Sequence, residues 1–520
     1  MKQSARKAGA DARMYPVDNL YRGWRRRPDA VAIEDGARGL TYADLVARVD
    51  ALAAALQERL PAPQARAEQA RVGICGYNTI EHVVAILAVY AAGHTWVALN
   101  PRNGKPELDA IIGSTRLDLI VADENCLDRF APPDVPLVLG KTEGKRTETD
   151  IAALIAAKRG ARPRRHDRPL DAAQTIKFTG GSTGRPKGVV QSYRCVNTSI
   201  ASYLHHFRFH AGDVNLCAAP VTHGSSHYLL PILSVGGRHV LLEQPKAATI
   251  LDAIEQHKIT TAFMPPTMIY AVMAEPGFAR RDVSSLTHLQ YGAAPMPPDR
   301  IREARAKFGP CLEVIFGQTE APMMITCMTA EEFADERNVA SVGRATVLMD
   351  VAIMDDKGRI LQPGEMGEIV CRGDLLMNGY LDMPAETAKT IVDGWLHTGD
   401  AGTVDERGYL FIKDRIRDMI ISGGFNVYPT DVEAALVQHP AVHECIVFGV
   451  PDDKWGERVE AAVQLKPGAR FDEAGILAFL KERVGSVKAP KKIHVADQLP
   501  RSAVGKVLRR EARRIFAGAA

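Results

Sequence analysis

The sequence predicts an α/β protein with a large N-terminal domain of parallel-rich sheets layered with helices, and a small α+β domain at its C-terminus. At 520 residues the chain exceeds what one hydrophobic core usually supports, so two or more domains are expected. Helical patterns alternate with short β-branched runs through its first part, as in parallel sheets covered by helices. After Gly394 short strands lie between Gly and Asp turns, which indicates a change of architecture.

Strand and helix alternate from the start of the chain. The segment "TYADLVARVDALAAALQERL" has apolar residues at helical spacing, and Thr41 is placed to cap that helix. "RVGICGYN" predicts a buried strand, and "TIEHVVAILAVYAAG" predicts a helix that Gly93 closes. "HTWVALNP" predicts the next strand.

A basic connection and then a glycine-rich loop follow in the middle of the chain. The stretch from Ala131 to Leu170 is rich in Pro, Lys and Arg, which favours a solvated surface connection over a site for an anionic partner. "IKFTGG" predicts a strand, and "VVQSYRCVNTSIASYLHHF" predicts a helix. The loop between them would then lie at a strand end, where open α/β sheets commonly bind ligands.

The last part of the chain predicts a separate small domain. We place the joint near Arg415 to Asp418, which divides the chain into residues 1–415 and 416–520. A helix is expected from about Thr430, then strands in "ECIVFGVPDD" and "RVEAAVQLK", and a helix near Glu473 to Val484. These elements are enough for an independent mixed α/β unit.

Charge and cysteine content limit the classes of partner. A formal net charge of +3 is negligible at this size and gives no reason to expect nucleic acid or an anionic membrane. Eight scattered cysteines without a Cys-x-x-Cys pair favour reduced thiols in a cytoplasmic chain. The longest strongly apolar run, Val83 to Ala92, is far short of the roughly 20 residues needed to span a bilayer. We therefore expect a cytoplasmic protein without a membrane span, either a monomer or a homodimer.

The loop "FTGGSTGRPKG" has the composition of a phosphate-binding loop. Its glycines let backbone N–H groups approach an anion, Ser182 and Thr183 add hydroxyl donors, and Lys187 adds a positive charge. A Walker A loop is excluded, because it requires Ser or Thr directly after the Gly-Lys pair, whereas Lys187 lies between Pro186 and Gly188. Pro186 and the apolar flanks also oppose a plain flexible linker. The residues expected to hold phosphate are Thr179, Gly180, Gly181, Ser182, Thr183, Gly184 and Lys187.

With this loop, five further motifs resemble those of the AMP-forming acyl-CoA synthetases, in that family's order. They are "YGAAPM", "FGQTE", "WLHTGD", "KDRIRDMIISGGFNVYP" and "PRSAVGKVLRRE". The family shares a superfamily with firefly luciferase and the adenylation domains of peptide synthetases, and the resemblance covers nearly the whole chain. It implies a ligase that uses ATP, magnesium (Mg²⁺) and coenzyme A. It also implies a small barrel-like subdomain in the large domain and a mobile C-terminal domain.

The resemblance assigns roles to individual residues. Glu320 is expected to bind Mg²⁺, which prefers oxygen ligands, and Thr319 to contact the α-phosphate. Asp400 and Arg415 are expected at the ribose, and Phe316 stands where tyrosine is usual and would stack on adenine. The remaining nucleotide-binding residues are Gly292, Ala293, Ala294, Gly317 and Gln318.

The C-terminal domain is expected to contribute catalysis and motion. Lys506, in the turn of the last motif, would donate to carboxylate and α-phosphate oxygens during adenylation; Lys187, Thr319 and Glu320 are the other catalytic candidates. By the family's spacing the pivot of the domain swing is Arg417, and arginine is not equivalent to the usual aspartate or lysine. Gly423 and Gly424 would line the pantetheine tunnel.

The acid is less clearly indicated than the reaction. Gly317 stands where acetyl-CoA synthetases carry a bulky tryptophan, which disfavours acetate and propionate; His223 and Pro266 are expected beside the acyl channel, although His223 fits an ordinary core position equally well. The segments "ISGGFNVYP" and "ALNPRNGKPEL" are similar to segments of bacterial fatty-acid ligases, and this resemblance favours a medium- or long-chain fatty acid over an aryl acid. A carrier protein as acceptor, and a catalytically silent nucleotide-binding protein, are the alternatives.

Overall fold

The structure is a computed structural model of the protein that describes residues 13–60, 69–130, 137–139, 151–179, 186–501 and 507–518. Within those ranges the chain forms 14 α-helices and 26 strands. The helices are α1 (Asp18–Arg26), α2 (Tyr42–Arg59), α3 (Ile80–Ala92), α4 (Lys105–Thr115), α5 (Ile151–Ala157), α6 (Tyr193–Phe207), α7 (Ser226–Val235), α8 (Ala247–His257), α9 (Pro266–Met273), α10 (Pro298–Phe308), α11 (Pro384–Thr390), α12 (Pro429–Leu436), α13 (Glu473–Lys488) and α14 (Arg509–Ala517).

The strands form four sheets. They are β1 (Val31–Asp35), β2 (Arg38–Thr41), β3 (Arg71–Cys75), β4 (Thr95–Leu99), β5 (Leu119–Ala122), β6 (Leu137–Leu139), β7 (Ala173–Thr179), β8 (Lys187–Ser192), β9 (Val214–Cys217), β10 (Arg238–Leu241), β11 (Thr261–Phe263), β12 (His288–Tyr291), β13 (Leu312–Gln318), β14 (Ala321–Met328), β15 (Arg344–Ala345), β16 (Met349–Met354), β17 (Gly367–Gly373), β18 (Gly379–Tyr380), β19 (Ile391–Val392), β20 (Trp395–Val404), β21 (Leu410–Arg415), β22 (Ile420–Ser422), β23 (Phe425–Val427), β24 (Val442–Asp452), β25 (Gly456–Leu465) and β26 (Lys492–Val495).

Two large sheets form the layered part of the N-terminal domain. The seven-stranded sheet has the order β18-β8-β7-β4-β3-β5-β6, and its strands from β7 to β6 are parallel. The nine-stranded sheet has the order β15-β14-β13-β12-β11-β9-β10-β1-β2, with a parallel centre from β13 to β1. One core cluster combines the nearly fully buried helix α3 with residues of both sheets, such as Val72 and Leu241. The predicted α/β class is confirmed.

Local capping explains why the first predicted helices end where they do. Thr41 accepts from the Asp44 backbone N–H, and the Asp44 side chain accepts from the Thr41 N–H, which completes a capping box before α2. Helix α3 ends at Gly93, whose φ of 76° is the left-handed conformation that glycine adopts without strain. The strands predicted on either side of α3 are β3 and β4.

The segment after the glycine-rich loop differs from the prediction. "VVQS" is not the start of a helix but most of strand β8, which pairs antiparallel with β7, Thr179 opposite Lys187. Helix α6 begins only at Tyr193, because Ser192 accepts from the Cys195 N–H and caps it. The glycine-rich loop therefore connects the two strands of a hairpin. The residues at its two ends, Thr179 and Lys187, lie opposite each other at the same end of these strands.

The basic connection contains more regular structure than its composition predicts. Strand β6 and helix α5 lie within it, and Ile151 at the start of α5 is buried against the large core cluster. Arg165 pairs with Asp18 of α1 at 2.9 Å, so this part of the connection is attached to the domain. The stretches 131–136 and 140–150 lie outside the described residues.

Two smaller sheets follow. The third sheet contains β16, β17, β19, β20 and β21, all antiparallel, and supplies the predicted subdomain. The C-terminal sheet contains β22 to β26 and, with α12, α13 and α14, forms the smaller α+β domain. Arg415 pairs with Asp400 in the third sheet, and Ile420 already belongs to the C-terminal sheet. The boundary at 415/416 stays a prediction. The predicted helix near Glu473 to Val484 is the first part of α13, which non-helical backbone interrupts at Gly485 before the element ends at Lys488.

The structure also gives information on membrane-crossing helices and on the state of the cysteines. In the described ranges, no helix has both the length and the apolar character needed to cross a bilayer. All eight cysteines are described and free, and seven of them are buried.

Candidate active site

The predicted site residues gather where strands of the two large sheets end. Thr179 ends β7, Tyr291 ends β12 just before Gly292, and Gln318 ends β13 just before Thr319 and Glu320. A hydrogen bond links the two sheets near these strand ends. Gln191 of β8 donates through Nε2 to the Thr319 carbonyl oxygen at 2.9 Å. The carboxyl ends of parallel strands are where open α/β sheets form ligand-binding crevices.

Glu320 is held in place by strand β18 and the segment before it. The Tyr380 hydroxyl donates to Glu320 Oε1 at 2.8 Å, and the Met377 N–H donates to the Glu320 carbonyl oxygen at 2.8 Å. Burial raises the pKa of the Tyr380 hydroxyl, and the charge of Glu320 raises it further, so Tyr380 stays a donor across the physiological range.

A divalent cation would fit at Glu320. Mg²⁺ is commonly held by one or two carboxylates together with phosphate oxygens of the substrate, so a dedicated protein cage is not required. In the ranges that the structure describes, no group of three or more His, Cys, Asp or Glu side chains could hold a metal. One oriented carboxylate beside a phosphate site is the arrangement that suits Mg²⁺.

Lys187 lies next to the same tyrosine. Its ammonium forms an ion pair with Glu386 at 2.9 Å and lies 5.0 Å from the centre of the Tyr380 ring. The structure therefore joins the predicted phosphate-binding lysine and the predicted metal ligand through one aromatic side chain. Gly180, Gly181, Ser182, Thr183 and Gly184 lie outside the described residues, whereas Thr179 and Lys187 are paired strand residues at the two ends of that loop.

Asp400 is a buried carboxylate held by partly exposed neighbours. Asp400 is 4% exposed; its Oδ1 pairs with Arg415 Nε at 2.8 Å, and its Oδ2 accepts from Gln318 Nε2 at 2.8 Å. Gln318 also donates to the Thr398 carbonyl oxygen at 2.8 Å. The third sheet thus brings the predicted ribose-binding pair to the residue that precedes Thr319.

The segment after β12 has unusual backbone. Ala293 has φ of 67°, a left-handed conformation that costs a non-glycine residue about 1–2 kcal/mol. A Cβ on Gly292 would lie 2.7 Å from the Ile315 carbonyl oxygen, so glycine is required there for close packing on β13. Ala294 follows this turn, and Phe316 lies partly buried on β13 beside it. Strained backbone of this kind is often found at binding sites.

Gly317 has a structural reason to be glycine that the sequence did not reveal. A Cβ at this position would lie within 2.7 Å of the backbone C, O and N atoms of Met323, where β13 and β14 form an irregular hairpin. A side chain there would displace the start of β14. The hairpin geometry therefore explains why residue 317 has no side chain. Gly317 is consequently weaker evidence against acetate and propionate than its resemblance-based interpretation implied.

Phe263 lies beside the residue that follows His223, one of the predicted acyl-pocket residues. A Cβ on Gly224, the residue after His223, would lie 2.7 Å from the Phe263 ring, and one on Gly292 would lie 3.5 Å from it. Pro266 begins α9 three residues after Phe263. The His223 Nδ1 atom lies 3.0 Å from Thr222 Oγ1, and burial, together with Lys177, lowers the pKa of His223 to about 4. His223 is therefore a neutral imidazole at physiological pH.

The residues assigned to the second half-reaction lie on the C-terminal side of the third sheet. Arg417 is well exposed, with a side-chain exposure of 61%, and lies in a short 3₁₀ turn between β21 and β22. Gly423 and Gly424 are the two central residues of the β22–β23 hairpin, with φ of 58° and 81°. That turn by itself favours glycine at both positions, so their role in a pantetheine tunnel stays a prediction. Lys506 lies outside the described residues.

Four functional candidates were not predicted from the sequence. Tyr380 contacts Glu320, and Glu386 contacts Lys187. Gln191 donates to the Thr319 carbonyl oxygen, and Lys177 donates to the His223 carbonyl oxygen. Only Lys177 had a visible signal, because a lysine within the apolar strand "TIKFT" needs buried partners.

Comparison with known proteins gives a consistent family assignment. A family model described as AMP-binding enzyme matches residues 20–381, and the model of the AMP-binding enzyme C-terminal domain matches residues 431–506. The chain is 36% identical to the medium/long-chain-fatty-acid–CoA ligase FadD8 of Mycobacterium tuberculosis, over 84% of this chain and 79% of the relative. It is 34% identical to a feruloyl-CoA synthase of Amycolatopsis sp, over 95% and 97%. The amide bond synthetase McbA of Marinactinospora thermotolerans superposes with a TM-score of 0.85 at 30% identity, over 96% of this chain and 100% of that chain.

Proposed function

The chain belongs to the AMP-binding enzyme family of acid–CoA ligases, and from this premise we propose that its acid substrate is a medium- or long-chain fatty acid. As a member of that family it is an AMP-forming acid–thiol ligase that uses ATP, Mg²⁺ and CoA. The acid and the roles of individual residues are the content of the proposal.

In the first half-reaction the carboxylate attacks the α-phosphorus of ATP, and pyrophosphate leaves. The chemistry depends mainly on positioning and on neutralising phosphate charge. We assign charge neutralisation to Lys187, with Glu386 as its partner when no phosphate is bound. Glu320, oriented by Tyr380, is the proposed ligand of a Mg²⁺ ion that offsets phosphate charge. Thr319, whose carbonyl Gln191 holds, is the proposed contact of the α-phosphate.

We assign the ribose to the third sheet, and the adenine to β13 and the turn after β12. Asp400, fixed by Arg415 and Gln318, is the proposed acceptor for ribose hydroxyls. Phe316 and the Gly292–Ala294 turn are proposed beside the adenine ring. Lys506 is assigned to adenylation, Gly423 and Gly424 to the passage of the thiol arm, and Arg417 to the pivot between the two steps.

One observation carries the choice of a fatty acid. Gly224, next to His223, and Gly292 both lie close to the Phe263 ring, which belongs to an apolar cluster with Tyr228, Ile315 and Met324. Apolar side chains of this kind beside the acid would suit a flexible alkyl chain, which binds through buried apolar area rather than through polar contacts. The similarity to a medium/long-chain-fatty-acid ligase supports the same choice.

An aryl acid is the second candidate. The Tyr228 and Phe263 rings are stacked, with centroids 5.9 Å apart, and aromatic walls also suit a flat ring. The feruloyl-CoA synthase relative supports this alternative. A carrier-protein pantetheine in place of free CoA would use the same thiol chemistry, so the acceptor has to be tested separately.

A pyrophosphate-release screen tests the proposal. The protein is incubated with ATP, Mg²⁺, CoA and single acids of graded chain length, together with benzoate, cinnamate and ferulate. We expect the largest kcat/KM for saturated acids of eight carbons or more. A maximum with ferulate or cinnamate would replace the fatty-acid proposal with the aryl one. Repeating the screen with a phosphopantetheinylated carrier protein in place of CoA identifies the acceptor.

A further inference from the structure

Lys177 is a buried lysine that the reaction described above does not use. It lies on β7, two residues before Thr179, and is 6% exposed. Its ammonium is within hydrogen-bond distance of three acceptors: the His223 carbonyl oxygen at 2.9 Å, Ser226 Oγ at 2.8 Å and His227 Nε2 at 2.9 Å. Ser226 donates its own proton to the His223 carbonyl at 2.7 Å, so its oxygen is available to accept from Lys177.

No carboxylate in the described part of the chain forms an ion pair with Lys177. Among the described residues its partners are all neutral, and Trp96 adds a cation–π contact with the ammonium 5.4 Å from the ring centre. Burying an uncompensated charge is costly unless every donor is satisfied. The three acceptors match the three N–H groups of an ammonium, which explains how the structure tolerates it.

The contacts of Lys177 connect two halves of the candidate site. Strand β7 leads directly into the phosphate-binding loop, whereas His223 belongs to the proposed acyl wall. A cavity of about 20 Å³, room for a water molecule, lies between Lys177 and Gln191 and is also lined by Ser199 and His227. Gln191 reaches from this cavity to the Thr319 carbonyl. Gln191 Oε1 and Ser199 Oγ are buried in the lining with no hydrogen-bond partner within the described ranges.

We propose that Lys177 is a positioning residue for the acid: its ammonium fixes the His223–His227 segment against strand β7 and thereby sets the shape of the acyl pocket relative to the α-phosphate contact at Thr319. This inference rests on the placement of His223 in the acyl pocket under the proposed function, but it does not depend on which acid is bound. The residue acts on the acid through the segment and does not touch the reacting atoms.

The arrangement makes acid binding dependent on pH. Burial lowers the pKa of Lys177 to about 7. Below that pH the ammonium supplies three donors, and above it the neutral amine supplies two, so one contact to the segment is lost as pH rises. The other titratable groups facing Lys177 change little in this range: burial lowers the pKa values of His223 and His227 and raises those of Cys195 and Tyr90.

Steady-state kinetics of Lys177→Met test the proposal, with the acid of highest wild-type kcat/KM, whichever class that is. We expect the KM for the acid to rise at least tenfold, while the KM for ATP changes less than threefold. In the wild type the KM for the acid should increase severalfold from pH 6.5 to 8.5, and in Lys177→Met it should not. Lys177→Arg, which stays charged throughout, should recover part of the affinity without the pH dependence.

Two further variants keep the test decisive. Lys307→Met removes a lysine of helix α10 that donates to the Met273 carbonyl oxygen at the C-terminal end of α9, opposite the end that holds Pro266, and should leave both KM values unchanged. If Lys177→Met does not fold, Ser226→Ala, which removes one acceptor, should raise the KM for the acid about threefold. An unchanged KM for the acid, or an equal rise in both KM values, would overturn the proposal. A failure of the fatty-acid proposal is detected separately, because the wild-type protein would then have its highest kcat/KM with an acid of another class.

Discussion

Tyr380→Phe is the most informative single substitution at the nucleotide half of the site. It removes the hydroxyl that donates to Glu320 at 2.8 Å, but it keeps the aromatic ring that lies 5.0 Å from the Lys187 ammonium. A hydrogen bond to a charged group contributes about 1.5–3 kcal/mol, and both side chains are partly exposed, so the lower end applies. Since about 1.4 kcal/mol is a factor of ten, metal binding should weaken roughly tenfold, as losses of partners to metal ligands commonly do.

The assay is pyrophosphate release at fixed ATP and acid while Mg²⁺ is titrated. We expect the half-saturating Mg²⁺ concentration to rise about tenfold, with the KM for the acid nearly unchanged. Tyr409→Phe is the matched control, because the Tyr409 hydroxyl donates a 2.9 Å hydrogen bond to Glu332. Neither of these two residues is assigned to the candidate site. An unchanged Mg²⁺ requirement in Tyr380→Phe, or an equal change in the control, would refute the assignment of Glu320 as an oriented metal ligand.

Three other substitutions test the remaining assignments. Glu386→Gln frees Lys187 from a partly exposed ion pair. Because such pairs are weak, the KM for ATP should fall only about threefold; a rise would show that Glu386 helps to bind ATP. Asp400→Asn removes a charged acceptor worth about 1.5–3 kcal/mol, so the KM for ATP should rise between tenfold and a hundredfold, and no change would remove Asp400 from the ribose site. Lys506→Ala should slow acid-dependent pyrophosphate release by about a hundredfold or more yet largely spare CoA transfer from supplied acyl-adenylate, and equal loss of both steps would contradict that division.

The sequence predicted elements whose signals are local. Helix α2 has regular apolar spacing and a capping box at Thr41, and α3 ends at a glycine, so both could be recognised from consecutive residues. Strand β8 could not, because its two valines fit a helix or a strand equally well. Its identity depends on pairing with β7 and on the cap that Ser192 provides for α6.

The same distinction holds for the candidate site. Thr319, Glu320 and Asp400 lie in contiguous motifs, so their residue types and order indicated phosphate and ribose chemistry. Tyr380 lies 60 residues from its partner Glu320, and Glu386 lies 199 residues from its partner Lys187. Such pairs are created only when β18 and α11 fold onto the edge of the seven-stranded sheet, and no local pattern encodes them.

We propose that a single acyl-adenylate lies between the third sheet and the ends of β7, β12 and β13. A crystal structure with an unreactive sulfamoyl analogue of decanoyl-adenylate tests it most directly. We expect the ribose at Asp400, the sulfamoyl group beside Thr319 and Lys187, and the alkyl chain passing His223 towards Phe263. Density for the analogue elsewhere, or a chain directed away from Phe263, would contradict it.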